Sequence, residues 1–578
     1  MNRKSMIWRG SLALLLPFLM AVVFASTVNA DEGDPPGRVA RLSLAEGKVS
    51  FQPSGETNWS EASVNRPVTT GDRLYTDQGA RAELEVGPFT VRLSQLTDVT
   101  LANLNDQLMQ IGVGQGTVRV TVYQMPANNS VEIDTPNGAL ILQTDGSYRV
   151  DTAADGNSTQ VTVNAGTLQI SAGDLSETLQ TGQAVRLTGT GPVAASSTQV
   201  PPADDFDQWC AGRDRRVESS ASVKELGPDV PGSDDLDAHG QWTEQPGYGQ
   251  VWVPSDVPPG WVPYRNGYWA FIEPWGWTWV EAEPWGYAPF HYGRWAHIGP
   301  IWAWVPGPVV MRPVFAPALV AFVGGPGFGI GIGVQAWFPL GPREPFVPWY
   351  HYSPTYIRRV NVVNVTNVTN ITNIRYVNRE VAVTAVSGDA FRSGQPVARA
   401  MVHVAPEQLA RAQVIPHPEV SPASQAVFGA RTVAAPPVRA AGFRSQGSAL
   451  SNAPSSPAAP ASQPRAAVRT GGPPAGTFTP STPRTPAPEA RSAVSPGGPP
   501  STTFPRVFTR NAPPATNAPF AARQEAYSSH PGRPLEPQQM NNLKQGKPAG
   551  PMKDKETIPH PQKEKNPPQK SSSKGDHK

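Results

Sequence analysis

Short runs in which apolar and polar residues alternate recur along the first third of the chain. Residues 82–86, 117–122 and 160–163 are three of them, and each is rich in β-branched residues or strictly alternating. A period of two buries one face of a β-strand. Gly, Asn, Asp and Pro separate the runs, and closely spaced short strands of this kind are typical of an all-β domain. We therefore predict the fold class as all-β, with a first domain over residues 38–195.

A second pattern, built on tryptophan, occupies residues 239–350, which hold 13 of the 16 tryptophans of the chain. Gly-x-Trp triplets begin at residues 240, 267 and 293, so they are spaced by 27 and 26 residues. A fixed period of this length indicates one supersecondary unit that has been copied and stacked. Glycine and proline at the joints exclude long helices. The sequence predicts a module of Trp-rich β-hairpin repeats.

Three other stretches lack such a period. Residues 196–238 carry runs of aspartate, which predicts a solvated acidic linker with room for a short helix around residues 206–218. Residues 351–387 contain an Asn-Val-Thr triplet repeat and are expected to be extended. Residues 388–578 are dominated by Ala, Pro, Ser and Arg and end in a lysine-rich segment. Such a composition buries too little apolar surface to fold, so we predict a long disordered tail.

The first thirty residues follow the order of a secretory signal peptide. Basic residues precede an apolar run over residues 12–25, and Val28-Asn29-Ala30 supplies the small side chains of a cleavage site. The run is shorter than the roughly 20 residues of a membrane helix, which favours cleavage over a retained anchor. Proline and glycine break the later apolar stretch over residues 314–334, so no transmembrane span is predicted after the signal peptide. We expect a periplasmic or secreted protein of a Gram-negative cell envelope.

Charge is distributed unevenly along the chain. Residues 31–240 carry 14 basic and 29 acidic side chains, whereas residues 241–578 carry 31 basic and 17 acidic ones. A basic half favours an anionic partner, and in an exported protein we expect that partner to be an anionic envelope polymer or lipid head groups rather than nucleic acid. Cys210 is the only cysteine, which excludes an intramolecular disulfide and a cysteine-based metal cluster.

The predicted β-domain also carries the motifs of a known family. They are Gly71-Asp72-Arg73-Leu74-Tyr75-Thr76, Gly79-Ala80-Arg81-Ala82-Glu83-Leu84, Gly116-Thr117-Val118-Arg119-Val120, Thr135-Pro136-Asn137-Gly138 and Gly146-Ser147-Tyr148-Arg149-Val150. Together they resemble FecR domains over roughly residues 40–190. The resemblance implies a solenoid-like stack of strands and the periplasmic part of an anti-sigma regulator. Such regulators have a cytoplasmic segment before the FecR domain, and here only about ten residues precede the apolar run, so a sensor role is kept as the alternative function.

The tryptophan module resembles a second family. Pro274-Trp275-Gly276-Trp277-Thr278-Trp279 and Pro289-Phe290-His291-Tyr292-Gly293-Arg294-Trp295 are the most specific phrases. They are similar to an uncharacterised bacterial family of Trp-Gly-Pro-rich repeats found after FecR domains. That family has no established activity, so the resemblance implies an architecture without a mechanism.

Two interpretations of the aromatic residues remain open. The rings either fill the core of the repeats, since each buries roughly 150–250 Å², or they form an exposed platform for sugar rings. The second interpretation predicts a binder of glycan or peptidoglycan, with ligand contacts at Tyr264, Tyr268, Trp269, Trp285, Tyr292 and Trp295.

Motifs of catalysis are missing from the sequence. No Walker loop, dinucleotide fingerprint, nucleophile elbow or zinc-protease motif occurs, so we predict no cofactor and no metal. Glu273, Glu281 and Glu283 lie near tryptophans, as the paired carboxylates of glycosidases do, but glutamates of a hairpin usually form its solvated face. The leading hypothesis is a non-catalytic envelope protein that binds or scaffolds a glycan, peptidoglycan or a protein partner.

Overall fold

A computed structural model describes residues 33–307, 312–325, 333–361, 375–429, 431–437 and 516–552. All of these residues belong to one unit of mutually contacting segments. The predicted signal peptide, the Asn-Val-Thr repeat and much of the predicted tail lie outside the described residues. None of the described helices has both the length and the apolar character needed to cross a membrane.

The described chain is mainly β-sheet, as the alternating pattern predicts. The β-domain contains the strands β1 (Ala40–Glu46), β2 (Val49–Gln52), β3 (Trp59–Glu61), β4 (Pro67–Val68), β5 (Arg73–Thr76), β6 (Arg81–Val86), β7 (Phe89–Leu93), β8 (Thr97–Leu104), β9 (Leu108–Val122), β10 (Ser130–Thr135), β11 (Gly138–Leu142), β12 (Gly146–Thr152), β13 (Ser158–Ala165), β14 (Thr167–Ala172), β15 (Leu175–Gln180), β16 (Gln183–Thr188) and β17 (Ala194–Thr198).

These strands form two sets that share the long strand β9. The first set runs β4–β1–β6–β7–β9–β12–β13–β16–β17. The second runs β3–β2–β5–β8–β9–β10–β11–β14–β15. One hydrophobic core includes side chains from both sets, such as Leu84 and Val120 from the first and Leu74 and Ile111 from the second. The two sets therefore enclose a single core.

Strand β9 passes from one set to the other near Gly116. Its first half pairs with β8 and β10, and its second half pairs with β7 and β12. Gly116 has a φ of 89°, which is readily adopted only by glycine. A Cβ at this position would lie 2.4 Å from Thr97 Oγ1. Both the backbone conformation and the space thus require glycine where the long strand changes sheets.

Residues 196–238 differ from the predicted solvated linker. They contain α1 (Asp205–Ser219), α2 (Ala221–Leu226) and the start of α3 (Leu236–His239), so the predicted short helix is present. Helix α1 begins with a capping box, in which Asp207 N donates to the Asp204 side chain at 2.9 Å. The same two residues are joined in the reverse sense, because Asp204 N donates to Asp207 Oδ2 at 3.2 Å. This reciprocal cap fixes where the helix starts.

A row of arginines on the β-domain explains where α1 docks. Arg92, Arg119 and Arg149 lie directly opposite one another on β7, β9 and β12. Their neighbours along each strand are core residues, so the arginines point away from the core. Like charges opposite each other destabilise a sheet, and this row, which we call the arginine ladder, therefore needs anionic partners.

Residues 196–238, which we call the connector, supply those anions. Asp207 accepts from Arg119 at 3.2 Å and from Arg149 at 2.6 Å, and Asp214 accepts from Arg92 at 2.5 Å. The side chains of Asp207 and Asp214 are only 10% and 14% exposed. The prediction of a solvated linker was therefore wrong at these positions, because fixed guanidinium groups hold the carboxylates against the sheet.

Three antiparallel hairpins follow the connector. They are β18 (Gly240–Gln245) with β19 (Gly249–Pro254), β20 (Gly267–Ile272) with β21 (Gly276–Glu281), and β22 (Arg294–Ile298) with β23 (Ile301–Val305). In each hairpin two tryptophans face each other across the strands, and the pairs are Trp242 with Trp252, Trp269 with Trp279, and Trp295 with Trp304. Each Gly-x-Trp triplet thus opens a hairpin.

The glycine of the triplet makes room for the second tryptophan of the hairpin. A Cβ on Gly240 would lie 2.4 Å from the ring of Trp252, and a Cβ on Gly267 would lie 2.6 Å from the ring of Trp279. Real Cβ atoms essentially never approach another atom within 3.0 Å. The indole therefore covers the glycine, and the Gly-x-Trp spacing is a steric requirement of the aromatic pair.

The remaining elements, one between the second and third hairpins and the others after them, complete what we call the aromatic module (the described residues within 240–428) and return to the β-domain. They are α4 (Ala288–His291, between β21 and β22), β24 (Val320–Gly324), β25 (Val334–Pro339), α5 (Pro354–Val360), α6 (Arg379–Ala382), β26 (Thr384–Ser387), α7 (Gly388–Arg392), α8 (Val397–Ala400), α9 (Pro406–Arg411), β27 (Gln413–Ile415), α10 (Ser424–Phe428), β28 (Thr432–Val433), α11 (Phe520–Ser529) and α12 (Pro537–Lys544). A sheet in the order β26–β25–β24–β27 packs in the same core as the hairpins.

The described parts of the predicted disordered tail are folded. Residues 516–552, which we call the C-terminal clip, contact both halves of the molecule. Arg523 pairs with Glu56 of the β-domain at 2.7 Å, and the Tyr527 hydroxyl donates to Glu273 of the aromatic module at 2.6 Å. The prediction of disorder was wrong here. Although the composition of the segment is Pro-rich, a few of its aromatic side chains pack into the core.

Candidate functional site

The structure places the predicted ligand-binding rings in the aromatic core. Five of the six are buried, namely Tyr264, Trp269, Trp285, Tyr292 and Trp295, and Tyr268 is half-buried. A ring covered by protein on both faces cannot stack on a sugar. This corrects the prediction of an exposed platform for Tyr264, Trp269, Trp285 and Trp295, which the core-filling interpretation describes, whereas Tyr292 is buried at the edge of a cavity.

Trp269 shows how completely such a ring is surrounded. Its centroid lies 5.4 Å from Trp279, 5.4 Å from Trp337 and 5.3 Å from Phe322. The first two contacts are edge-to-face, which is a favoured arrangement of aromatic pairs. Its role is therefore to pack hairpin β20–β21 against β24 and β25.

Tyr264 is also a structural residue. Its hydroxyl donates to Phe290 O at 2.8 Å and accepts from Leu319 N at 3.0 Å. Burial raises the pKa of this phenol, so the hydroxyl stays protonated. Both hydrogen bonds are internal, and together they join three segments of the aromatic module.

The three glutamates considered for glycosidase chemistry are held as structural groups. Glu273 and Glu281 lie at opposite ends of the β20–β21 hairpin, about 17 Å apart at roughly 3.4 Å per residue. The carboxyl groups of glycosidases are only about 5–9.5 Å apart. Glu281 accepts from Trp279 Nε1 at 2.9 Å, and Glu283 accepts from Asn266 at 2.8 Å. Burial raises the pKa of Glu281 well above its usual value. Both of its carboxylate oxygens accept hydrogen bonds from within the protein.

One cluster of carboxylates has the geometry of a metal site but already holds cations. Glu85, Asp234 and Asp235 bring their oxygens within 4.8 Å of one another. Arg41 reaches Glu85 at 3.2 Å and Asp235 at 2.6 Å, and Arg216 reaches Asp234 at 2.9 Å. Two guanidinium groups therefore offset two of the three carboxylate charges and link the β-domain to the connector.

A cavity of about 770 Å³ lies where the β-domain, the aromatic module and the C-terminal clip meet. We call it the junction cleft. Its walls come from residues 33–39, 69–70, 104–107, 273–275 and 535–544, among others. The volume is in the range of ligand pockets, roughly 300–1,000 Å³, and such pockets are common where domains meet.

Three arginines from distant parts of the sequence line this cleft. Arg38 precedes β1, Arg312 follows the last hairpin, and Arg359 lies in α5. Arg359 reaches Asp106 at 3.2 Å, and Arg312 donates to Ala127 O at 2.7 Å. The cleft thus presents guanidinium groups held in place by the β-domain.

The acidic groups of the cleft already have donors. Asp34 accepts from Ser353 N and Ser353 Oγ, both at 2.6 Å. Glu273 accepts from the Tyr527 hydroxyl at 2.6 Å and from Leu535 N at 3.3 Å. Burial raises the pKa of Glu273, against the effect of the Arg523 charge. These acceptors are engaged in holding the N-terminal segment and the clip in place.

Sequence patterns did not identify the junction cleft. Its three arginines are separated by more than 40 residues, and no motif links them. The excess of basic residues after position 240 is the one signal that pointed toward an anionic partner. Of the six predicted rings, Tyr292 lines two smaller cavities among the described residues, of about 210 and 20 Å³.

Comparison with known proteins gives limited information. Residues 233–344 match DUF6600, a family of unknown function. No curated protein matches the chain. Two crystal structures of a candidate anti-sigma factor from Parabacteroides distasonis are similar at 10% and 11% identity, each with a TM-score of 0.20. The matches cover 22% of this chain, and this chain spans 60% of the length of those chains.

Proposed function

We propose that this chain is a non-catalytic binding protein of the bacterial cell envelope and that it takes its ligand in the junction cleft. The observation that carries the proposal is a cavity of about 770 Å³ whose walls come from three separate parts of the fold. Three arginines line it, while its acidic groups are engaged by internal donors. Such a site favours a ligand with anionic groups.

The first ligand to consider is peptidoglycan or another envelope glycan, and the second is an envelope protein. The sequence of residues 1–30 supports export, and a cell-wall polymer is then the abundant anionic partner. The cleft is large enough for a short stretch of such a polymer. Nucleic acid is not proposed as the ligand, because an exported protein does not normally encounter it.

The architecture supports the two family assignments that the proposal includes. Arg119 and Arg149 belong to the FecR-like motifs, and both bind Asp207 of the connector. We propose a FecR-like domain with a solenoid-like strand stack, joined by the connector to three copies of one hairpin unit. The shared glycine–tryptophan contact of the hairpins supports the copying.

A blocked cleft tests the proposal. Gln107 is exposed and lines the cleft, whereas Gln78 is exposed on a turn of the same β-domain and does not line it. We expect the full exported chain to be retained on purified peptidoglycan, Gln78→Trp to bind equally well, and Gln107→Trp to bind at least tenfold more weakly. Because the protein is proposed to be non-catalytic, no soluble fragments should be released during the incubation.

Two results would contradict the proposed function. One is equal retention of Gln107→Trp and the unmodified chain, which would place the ligand elsewhere. The other is steady release of soluble peptidoglycan fragments by the purified protein, which would make it an enzyme. Thermal unfolding of both variants serves as the folding control.

A further inference from the structure

A smaller cavity shares part of its lining with the junction cleft. It measures about 20 Å³, and Arg38, Arg312, Arg359 and Asp106 line both spaces. Asp229 lines the smaller one only. Three guanidinium groups and two carboxylates therefore meet in one corner of the cleft, with a formal balance of one positive charge.

Arg38 is the residue of this corner with an unused donor. Its Nη1 atom is buried and has no hydrogen-bond partner among the described residues. Leaving a buried donor unpaired costs free energy, and more so when the donor is charged. The guanidinium lies 5.3 Å from the ring centroid of Phe89, and this cation–π contact does not provide a hydrogen-bond acceptor. Within the part of the chain that the structure describes, the corner therefore offers Arg38 Nη1 no acceptor.

Repulsion between the arginines adds to this cost. Burial lowers the pKa of Arg38, and the neighbouring charge of Arg312 lowers it as well, whereas Asp106 and Asp229 raise it. Two positive groups close together in a poorly solvated space repel each other unless an anion lies between them. Asp106 and Asp229 outweigh the repulsion by Arg312, so what a bound anion would add is an acceptor for the buried Nη1 donor and charge compensation for its desolvation.

The carboxylates in the corner do not meet this need. Asp106 Oδ1 accepts from Gly37 N at 2.7 Å and from Arg38 N at 3.2 Å, and Asp106 Oδ2 faces Arg359 at 3.2 Å. Asp229 accepts from Arg312 N at 3.4 Å. Both aspartates are bound mainly through backbone donors, and neither reaches Arg38 Nη1. No acceptor for that atom is supplied by the residues that the structure describes.

We propose that Arg38, Arg312 and Arg359 form an oxyanion subsite of the junction cleft and that the group it takes is a phosphate carried by the ligand. Guanidinium groups bind phosphate through paired N–H donors, and a phosphate offers more acceptor oxygens than a carboxylate to donors that approach from three directions. The inference rests on the proposed function, since it specifies one chemical group of the ligand that the cleft takes.

Inorganic phosphate tests the subsite directly. We expect phosphate to raise the melting temperature of the full chain by about 2 °C or more relative to chloride at equal ionic strength, because a ligand that binds only the folded state stabilises it. Acetate at the same ionic strength should produce a smaller shift. Arg38→Gln should abolish the phosphate shift, which is measured against the variant's own melting temperature in chloride, because the substitution removes the repulsion by Arg312 and also the attraction of Asp106 and Asp229.

Two further variants complete the test. Arg359→Gln should reduce the phosphate shift, whereas Arg186→Gln, at an exposed arginine on β16 that contacts Gln160, should leave it unchanged. An equal phosphate shift in Arg38→Gln and the unmodified chain would overturn the subsite, and so would the absence of any shift in the unmodified chain. A larger shift with acetate than with phosphate would replace phosphate by carboxylate and overturn the proposal as stated.

The outcomes separate this inference from the proposed function. If peptidoglycan is retained and Gln107→Trp abolishes retention, but phosphate has no effect, the subsite fails and the binding function stands. If phosphate stabilises the chain through Arg38 but peptidoglycan is not retained, the peptidoglycan ligand fails and the oxyanion subsite stands.

Discussion

Arg92→Leu will lower the free energy of unfolding by about 3–5 kcal/mol, because it breaks a buried ion pair and leaves its partners uncompensated. Arg92 is fully buried on the arginine ladder, and its guanidinium reaches Glu83 at 2.6 Å and Asp214 at 2.5 Å. The first partner is on the neighbouring strand and the second is on α1. The substitution should therefore weaken the sheet face and also release the connector.

Urea unfolding followed by tryptophan fluorescence measures the loss. The matched control is Arg186→Leu, on the exposed part of the same strand set, for which we expect a change within about 0.5 kcal/mol. Limited proteolysis of Arg92→Leu should cut within residues 196–238 before the hairpins are cut. Equal stability of the two variants would show that the arginine ladder does not hold the connector.

The same network should give a recognisable dependence on pH. Burial by itself raises the pKa of Glu83, but the hydrogen bonds and charges of Arg213 and Arg92 outweigh it and lower that pKa to about 2. A carboxyl with a lowered pKa in the folded state stabilises the protein above its unfolded pKa, near 4.5, and this stabilisation is lost as the pH falls toward 2. In Arg92→Leu the folded-state pKa of Glu83 should rise toward its ordinary value, so the acid-induced loss from this group should be smaller and should be complete at a higher pH.

Trp269→Ala will cost about 3–5 kcal/mol, the usual range for removing a large buried aromatic side chain. Trp269 is 1% exposed and contacts several aromatic rings of the module. Trp242 occupies the equivalent position of the first hairpin but is half-buried and contacts Trp304 at 6.1 Å. Trp242→Ala is thus the matched control, and we expect it to cost less than half as much.

The two tryptophan variants also decide between the two interpretations of the rings. Core filling predicts that Trp269→Ala, at a temperature where it is still folded, binds peptidoglycan as tightly as the unmodified chain. Reduced binding with an unchanged free energy of unfolding would instead make Trp269 a ligand contact. The latter result would restore the platform interpretation at this position.

The local features of the fold could be predicted because neighbouring residues determine them. Alternation of apolar and β-branched residues specifies the strands of the β-domain, and the Gly-x-Trp triplets mark the hairpins because the indole of the facing strand needs the space above the glycine. The capping box of α1 is likewise contained within four residues, Asp204 to Asp207. Each of these constraints acts over a few residues or one hairpin.

The connector could not be predicted in the same way. Asp214 is 122 residues from Arg92, and Asp207 is 88 residues from Arg119. A run of aspartates has the same composition whether water or buried arginines surround it, so only the folded sheet reveals the difference. The same reason applies to the exposed platform predicted at Trp285 and Trp295, because the number of tryptophans does not show which rings cover one another.

The cleft and the C-terminal clip depend on still more distant contacts. Glu56 and Arg523 are 467 residues apart, and Glu273 and Tyr527 are 254 residues apart. The clip also lies within a stretch whose Pro-rich composition predicts disorder. Sites assembled by such contacts leave no periodic or motif signal in a single sequence.

Hydrogen–deuterium exchange of the full chain with and without soluble peptidoglycan fragments tests most directly the claim that the junction cleft binds the ligand. Backbone amides that a ligand covers or steadies exchange more slowly. We predict added protection at residues 33–39, 104–107 and 535–544, with no change at residues 240–254 of the first hairpin, which do not line the cleft. Protection concentrated in the hairpins, with unchanged exchange around the cleft, would contradict the account.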